Sequence, residues 1–172
     1  VLKIDITQGS VDPVPIAVSE FHAENAGARE SASAIADVVA RNLERSGLFR
    51  PIDRRAFIQT PTAMRVQPRF PDWRAINAQA LVTGTTTMLE DGRLRVEFRL
   101  WDVFAGQQMT GLAYFTALPN WRRIAHLISD AIYQRLTGEA GYFDTRIVYI
   151  AETGPHKNRV KRLAIMDQDG AH

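Results

Sequence analysis

Hydrophobic and polar positions alternate along the first residues of the chain, as they do in a short strand. Leu2, Ile4 and Ile6 lie at period two and share one face, while Lys3 and Asp5 lie on the other. A glycine and two prolines then make a turn-rich break, and a second, more buried strand is predicted in the sequence PIAVSEF. Because the break uncouples the first strand from the second, we expect the first strand to detach without unravelling the core.

Two stretches change to helical spacing. Residues 31–47 carry apolar side chains at i, i+3, i+4 and i+8 and end in Ser-Gly, a C-terminal stop signal. Residues 120–138 keep the same spacing over four turns, with Asn120 as the predicted N-cap and Thr-Gly at the end. Arg122 and Arg123 in the first turn oppose the helix dipole, so they need solvent or a carboxylate that the sequence does not reveal.

The middle of the chain returns to period two. Residues 80–118 contain three predicted strands joined by hairpin-type turns at Asp-Gly and Ala-Gly. In the second strand the apolar residues Leu94, Val96, Phe98 and Leu100 alternate with Arg93, Arg95, Glu97 and Arg99. One face of this strand is therefore predicted to be core and the other to be wet.

Between the first helix and this meander the pattern is less regular. The sequence LFRPID predicts a short strand, and Pro51 places it at the edge of a sheet. Residues 54–69 are predicted to be mainly irregular, and PDWRAINA to form a short helix with Asp72 at its start. These elements together predict an α/β (α+β) fold: an open mixed sheet of five to six strands with two main helices on one face.

Two more strands are predicted near the end of the printed sequence, at residues 147–151 and 160–166. Gly154, Pro155 and Asn158 between them are turn residues. An isolated hairpin is marginally stable in water, so we expect these strands to belong to a larger sheet and to be held by something outside their own domain. Unpaired edges at residues 146–166 also predict a dimer or a strand swap.

Composition narrows the function classes. The 172 residues suffice for one full domain, with lysine and arginine exceeding the acidic residues by only two, 21 against 19. That balance is weak support for a polyanionic partner. The absence of cysteine excludes disulfides, thiolate zinc sites and a cysteine nucleophile. The start, VLKIDITQGS, has neither an initiator Met nor a signal-peptide core, so we expect a processed or trimmed chain, and no apolar run reaches the length of a membrane helix.

Candidate chemistry is sparse. His126 on the second helix is the one histidine in a strongly predicted element, and without a second ligand at metal spacing it is interpreted as a surface or structurally hydrogen-bonded residue. Asp53 and Asp72 are a possible carboxylate pair that the sequence does not bring together. The arginines of the middle strand, with Trp101 and Phe104 nearby, fit a basic face with stacking rings for RNA, but an alternating strand face is more typical of solvation. No cofactor, metal site or catalytic residue is predicted, and we expect no nucleic-acid partner.

Several longer motifs resemble one family in order along the chain. VVARNLERSGLFRPID (residues 38–53) is similar to the first helix and following strand of the TolB family of the Tol-Pal envelope system, and KIDITQGSVDPVPIAV to its mature N-terminus. LTGEAGYFDTRIVYIAE (residues 136–152) resembles the junction to that family's six-bladed β-propeller, and LAIMDQDG the end of a propeller strand. The proline-rich residues 60–71 lie outside the resemblance.

The resemblance implies an N-terminal α/β domain, residues 1–143, followed by a truncated start of a propeller, residues 144–172, amounting to the first two strands of an incomplete blade. It also implies a non-catalytic periplasmic interaction protein that supports outer-membrane integrity and cell division. In the family the propeller docks the lipoprotein Pal and is captured by some colicins. Contact with membranes is then expected only through protein partners.

The resemblance assigns the inner-membrane partner TolA to the N-terminal strand. The residues predicted to contact TolA are Leu2, Lys3, Ile4, Asp5, Ile6 and Thr7. A short detachable segment of this kind recognises a partner by adding as a strand to an exposed sheet edge. Two other classes remain open: an RNA-binding domain, since the family's domain resembles the anticodon-binding domain of some aminoacyl-tRNA synthetases, and a hydrolase or transferase.

Overall fold

The computed structural model describes residues 1–7, 9 and 12–144, and the backbone of residues 148–151 and 161–165. The helices in this part of the chain are α1 (Arg29–Arg45), α2 (Phe70–Arg74) and α3 (Trp121–Thr137). The strands are β1 (Val14–Val18), β2 (His22–Ala23), β3 (Phe49–Pro51), β4 (Ala80–Met88), β5 (Arg93–Asp102), β6 (Gln107–Ala117), β7 (Val148–Ala151) and β8 (Lys161–Ile165).

Strands β1 to β6 form one mixed sheet. Its order is β3-β1-β4-β5-β6, and the two-residue β2 pairs with β4 beyond β1. Strands β3, β1 and β4 run parallel to one another, whereas β4, β5 and β6 form an antiparallel meander. The strand order confirms the edge position predicted for β3. Pro51 suits that position because it has no N–H to offer to a further strand.

Helices α1 and α3 pack on one face of this sheet and against each other. Their fully buried large apolar residues are Ile35, Val39 and Leu43 on α1 and Ile124, Ile128, Ile132 and Leu136 on α3. They meet the buried row of β5, Leu94, Val96, Phe98 and Leu100. Helical and strand periodicities therefore converge on one core, where each such side chain contributes roughly 1.5–3 kcal/mol through burial.

The opposite face of the sheet is covered only in part, by the connection between β3 and β4. Trp73 of α2 is buried there against Leu81 and Trp101, and its ring centroid lies 4.8 Å from that of Phe57. The Trp73 indole N–H donates to Gln59 Oε1 at 2.9 Å. A second, smaller core thus fixes a stretch that is otherwise irregular, with single 3-10 turns at Arg54–Ala56 and Thr62–Met64.

The predicted fold class is confirmed, including both main helices and the three-stranded meander. Two local predictions are wrong. The N-terminal residues do not form a strand, because their N–H groups bond to the Asp102 carboxylate and to a helix carbonyl instead of to a neighbouring strand. Asn120 occupies the N-cap position, but its backbone is not extended and its side chain makes no capping bond.

The two strands predicted near the end are confirmed within the bounds of β7 and β8. They pair antiparallel with each other, and β8 also pairs parallel with β6, with Leu112 opposite Lys161. The turn predicted between them, with most of the hairpin's flanks, lies outside the described residues. The division into a domain at 1–143 and a propeller start at 144–172 stays a prediction, as does the dimer or strand swap through 146–166.

Candidate functional site

The N-terminal segment, residues 1–7, lies between the end of β5 and the last turn of α3. The Leu2 N–H donates to Asp102 Oδ2 at 2.8 Å, and the Ile4 N–H donates to the Leu136 carbonyl at 2.7 Å. Carbonyls in the last turn of a helix have no intrahelical partner, so Ile4 satisfies an acceptor that α3 leaves open. Two main-chain donors thus hold the segment in register.

The side chains of the segment alternate between the domain and solvent. Ile4 is only 3% exposed and belongs to the main core, while Leu2 and Ile6 are half-buried beside it. Lys3, Asp5 and Thr7 are exposed. The alternation predicted from the sequence is therefore present without a strand ladder.

The segment ends in a local turn that is exposed to solvent. The Thr7 hydroxyl and the Thr7 N–H both donate to Asp5 Oδ1, at 2.6 and 2.9 Å. The hydroxyl bond, followed by the backbone bond, lowers the pKa of Asp5 below its ordinary value. This Asx-type turn separates the docked residues from those that lead to β1.

Asp102 anchors the first residues of the N-terminal segment, and we call Asp102 and the pocket beside it the seat. It is 5% exposed, and its carboxylate accepts the Leu2 N–H through Oδ2 and the Ala105 N–H through Oδ1, the latter at 3.1 Å. An open pocket of about 360 Å³ lies beside it, lined also by Val1, Gln79 and Phe104. The carboxylate thus links the N-terminal segment to the turn that follows β5.

The six residues predicted to contact TolA are consecutive and present two faces in this segment, and the contact itself stays a prediction. The apolar set, Leu2, Ile4 and Ile6, faces the domain. The polar set, Lys3, Asp5 and Thr7, faces solvent. Sequence reasoning missed this role of Asp102, although a carboxylate that continues the apolar row of β5 just before a turn was a usable signal.

His126 has a structural role, as predicted. Its Nδ1 accepts a hydrogen bond from the Asn42 carboxamide of α1 at 2.9 Å, and the same carboxamide donates to the Ser129 hydroxyl at 3.1 Å. The Arg45 guanidinium donates to Asn42 Oδ1. This polar network joins α1 to α3, and Asn42 was recognisable as a lone polar residue within the apolar stripe of α1.

Burial is the main influence on the pKa of His126, and it lowers that pKa below 6.5. The Asp144 carboxylate opposes this shift, while the guanidinium groups of Arg122 and Arg45 add to it. The lowered pKa favours the neutral imidazole, in agreement with a hydrogen-bond acceptor at Nδ1.

The arginines of β5 lie on the sheet face away from α1 and α3. Glu97 accepts from Arg95 Nη2 at 3.1 Å and from Arg99 Nε at 3.2 Å. Arg93 Nε donates to Asp91 at 2.8 Å. Each guanidinium thus has a carboxylate partner within the chain, an arrangement typical of a solvated strand face.

The rings that could stack on a nucleobase are poorly placed for this role. Trp101 is buried, and its indole N–H donates to the Thr83 hydroxyl at 2.9 Å. Phe104 is 54% exposed but lies beyond the end of β5, next to the N-terminal segment. The geometry therefore does not favour an RNA-binding face.

The described residues contain no group of three or more His, Asp and Glu side chains arranged to hold a metal ion. Asp53 pairs with Arg55 at 2.7 Å and Asp72 with Arg69 at 3.7 Å, so each carboxylate has an arginine partner of its own. Within the described part of the chain, no helix combines the length and hydropathy that crossing a membrane requires.

A family model and one solved structure indicate the same family. The family model of the TolB amino-terminal domain matches residues 2–109. The crystal structure of TolB from Acinetobacter baumannii is similar with a TM-score of 0.65 and 28% sequence identity, covering 94% of this chain and 37% of that chain. This chain therefore spans well under half the length of that relative.

Two other solved structures are more distant. Lipoprotein GNA1162 from Neisseria meningitidis has a TM-score of 0.48 and 12% identity, over 71% of this chain and 96% of its own. The LpoB C-terminal domain from Salmonella enterica has a TM-score of 0.44 and 13% identity, over 63% of this chain and 86% of its own.

The matched residues run from Leu2 through β4 and β5 into the start of β6, and they include Asp102 and all six residues of the candidate site. The match extends over more than half of the chain, which confirms the resemblance found in the sequence. The chain belongs to the TolB family, whose members are periplasmic components of the Tol-Pal system.

Proposed function

We propose that this chain is a non-catalytic protein-protein interaction component of the trans-envelope Tol-Pal system in the periplasm, and that its N-terminal segment binds TolA. One observation carries the proposal. Among the described residues, the segment is attached to the domain by two main-chain hydrogen bonds and one fully buried side chain, Ile4. An attachment of this kind is reversible, and family membership supplies the partner system.

The segment offers TolA two different faces, depending on its state. When it is docked, the polar set is exposed and the apolar set is buried or half-buried; when it is released, the whole apolar set and the main-chain N–H and C=O groups become available. Adding as a strand to a sheet edge of TolA would use the released form, with alternate side chains filling pockets. Burying Ile4 and Ile6 there contributes roughly 1.5–3 kcal/mol each, less the cost of ordering the segment and of leaving the seat.

Pal is assigned to a different part of the protein. The resemblance places Pal binding, and capture by colicins, on the propeller predicted after residue 143. We therefore expect this domain alone to lack appreciable affinity for Pal. We expect the protein to support outer-membrane integrity and cell division only when one molecule binds both TolA and Pal.

Calorimetric titration with purified TolA tests the proposal. Deleting residues 1–7 should abolish binding, and so should replacing the apolar set, Leu2, Ile4 and Ile6, by serine. Replacing the polar set, Lys3, Asp5 and Thr7, by alanine is the matched control. It should change the Kd by less than about threefold, or about 0.65 kcal/mol.

Two outcomes contradict the proposal in different ways. If replacing the polar set abolishes binding and replacing the apolar set does not, TolA binds the docked segment and the release step is wrong. If TolA binds the deletion variant as tightly as the wild type, the contact lies elsewhere, and the β5 face with Arg93, Arg95 and Arg99 is the next surface to vary. Melting curves must show that the deletion variant remains folded.

A further inference from the structure

After α3 ends, the chain turns back along the helix. Residues 139–144, here called the return segment, run antiparallel to α3. The Phe143 N–H donates to Asp130 Oδ1 at 2.7 Å, and the Asp144 N–H donates to Asp130 Oδ2 at 3.1 Å. Asp130 lies about two turns before the end of the helix, so one side chain of α3 holds two successive main-chain groups of the segment.

The turn into the return segment is itself hydrogen-bonded. Gly138 ends α3 with a φ of 79°, a conformation that favours glycine. The Thr137 hydroxyl donates to the Tyr133 carbonyl at 2.7 Å and accepts the Glu139 N–H at 3.1 Å. The reversal of the chain is thus defined before the segment reaches Asp130.

Gly141 is the point of closest approach between segment and helix. A β-carbon at this position would lie 2.6 Å from the Asp130 Cα, a backbone atom that cannot move aside. Only glycine permits this contact, so the sequence is fitted to the docked path and not to a free linker.

The far end of the return segment is buried with its counter-charge. Arg123 Nε lies 3.8 Å from Asp144 Oδ1, and the two side chains are 2% and 5% exposed. Between Asp144 and the turn, the rings of Tyr133, Tyr142 and Phe143 pack within 6.0 Å of one another. Charge, main-chain and aromatic contacts therefore all hold the same six residues.

We propose that the return segment is a rigid joint, locked by Asp130 and Gly141, that fixes the direction in which the chain leaves this domain at Asp144. The part of the chain beyond residue 144 is then oriented relative to α3 instead of swinging on a flexible linker. The inference concerns the joint alone and holds whether or not TolA binds the N-terminal segment.

Residue-resolved hydrogen exchange on the full chain tests the joint. In the wild type, the amides of Phe143 and Asp144 should be strongly protected. In Asp130→Asn one carboxylate oxygen becomes an NH₂ donor, so the carboxamide satisfies only one of the two amides. Exchange at these amides should then rise on the order of tenfold, while the amides of Ile128 and Ile132 stay protected.

Gly141→Ala is the independent second variant, and it should raise exchange at the same two amides. Asp37→Asn on α1 and Gly9→Ala, where a β-carbon meets nothing within 4 Å, make the same chemical changes away from the joint and should leave these amides unaffected. Unprotected amides in the wild type, or protection that both joint variants leave intact, would show that the segment is not a fixed joint.

Discussion

Helix α3 holds the N-terminal segment and the return segment by different means. The N-terminal segment donates one N–H to the Leu136 carbonyl and buries Ile4. The return segment donates two N–H groups to the Asp130 carboxylate and buries Asp144 beside Arg123. The first attachment is mainly apolar, and the second mainly electrostatic.

This difference decides which segment is suited to leave the domain. An apolar side chain such as Ile4 loses little if a partner offers it an equally apolar site, because burial is non-directional. A buried charge is different, since removing its counter-charge leaves an ion in a medium of low dielectric. This difference supports the two proposals, of reversible binding by the N-terminal segment and of fixed geometry in the return segment.

Removing the buried cation should have the largest effect. Arg123→Ala leaves Asp144 without this counter-charge, and we expect unfolding free energy to fall by about 3–5 kcal/mol in urea denaturation. Its neighbour Arg122 is the matched control: it is exposed, with its guanidinium 4.7 Å from the Trp121 ring centroid. Arg122→Ala should cost no more than about 1 kcal/mol. Equal losses would mean that the ion pair does not distinguish the two segments.

The second prediction compares the loss of unfolding free energy when each of two buried isoleucines is replaced by alanine. Ile128→Ala in the middle of α3 should cost about 2–5 kcal/mol, as in other cores. Ile4 is buried almost as completely, at 3% exposure against 0%. If the N-terminal segment detaches on its own, however, Ile4→Ala cannot cost more than the docking free energy of that segment. We expect a loss of roughly 1–2 kcal/mol for Ile4→Ala, and a loss equal to that of Ile128→Ala would make the segment part of the core.

Periodicity predicted most of the fold because α1, α3 and β5 each bury one face. The spacing in α1, in α3 and along β5 names the core residues directly, and the hairpin turns order the meander. At Leu2, Ile4 and Ile6 the same reasoning gave the correct buried face and the wrong element. Any extended chain that docks on one side shows period two, whether or not a neighbouring strand pairs with it.

The polar anchors could not be predicted, because their partners meet only through the tertiary fold. The sequence places no carboxylate within one helical turn of Arg123, and Asp144 reaches it only after the chain reverses at Gly138. In the sequence, Asp130 has the pattern of an ordinary solvent-facing residue of α3. In the structure the return segment covers it, and burial raises the pKa of its carboxyl above the ordinary value. The role of Asp102 is likewise visible only in the fold, where the Leu2 N–H donates to its carboxylate.

The smallest expected effect is a pH dependence of the unfolding free energy that arises from His126 on α3. Burial lowers the pKa of His126 below 6.5 in the folded protein, so on acidification the unfolded chain takes up this proton first. The stabilisation is fully present above pH 6.5 and is lost as the pH falls from there toward the folded-state pKa. His126→Asn keeps an acceptor for Asn42 and removes the titration, so its urea midpoint should change less between pH 7.5 and about pH 5.5 than that of the wild type. An unchanged slope in His126→Asn would show that the acid sensitivity arises from other groups.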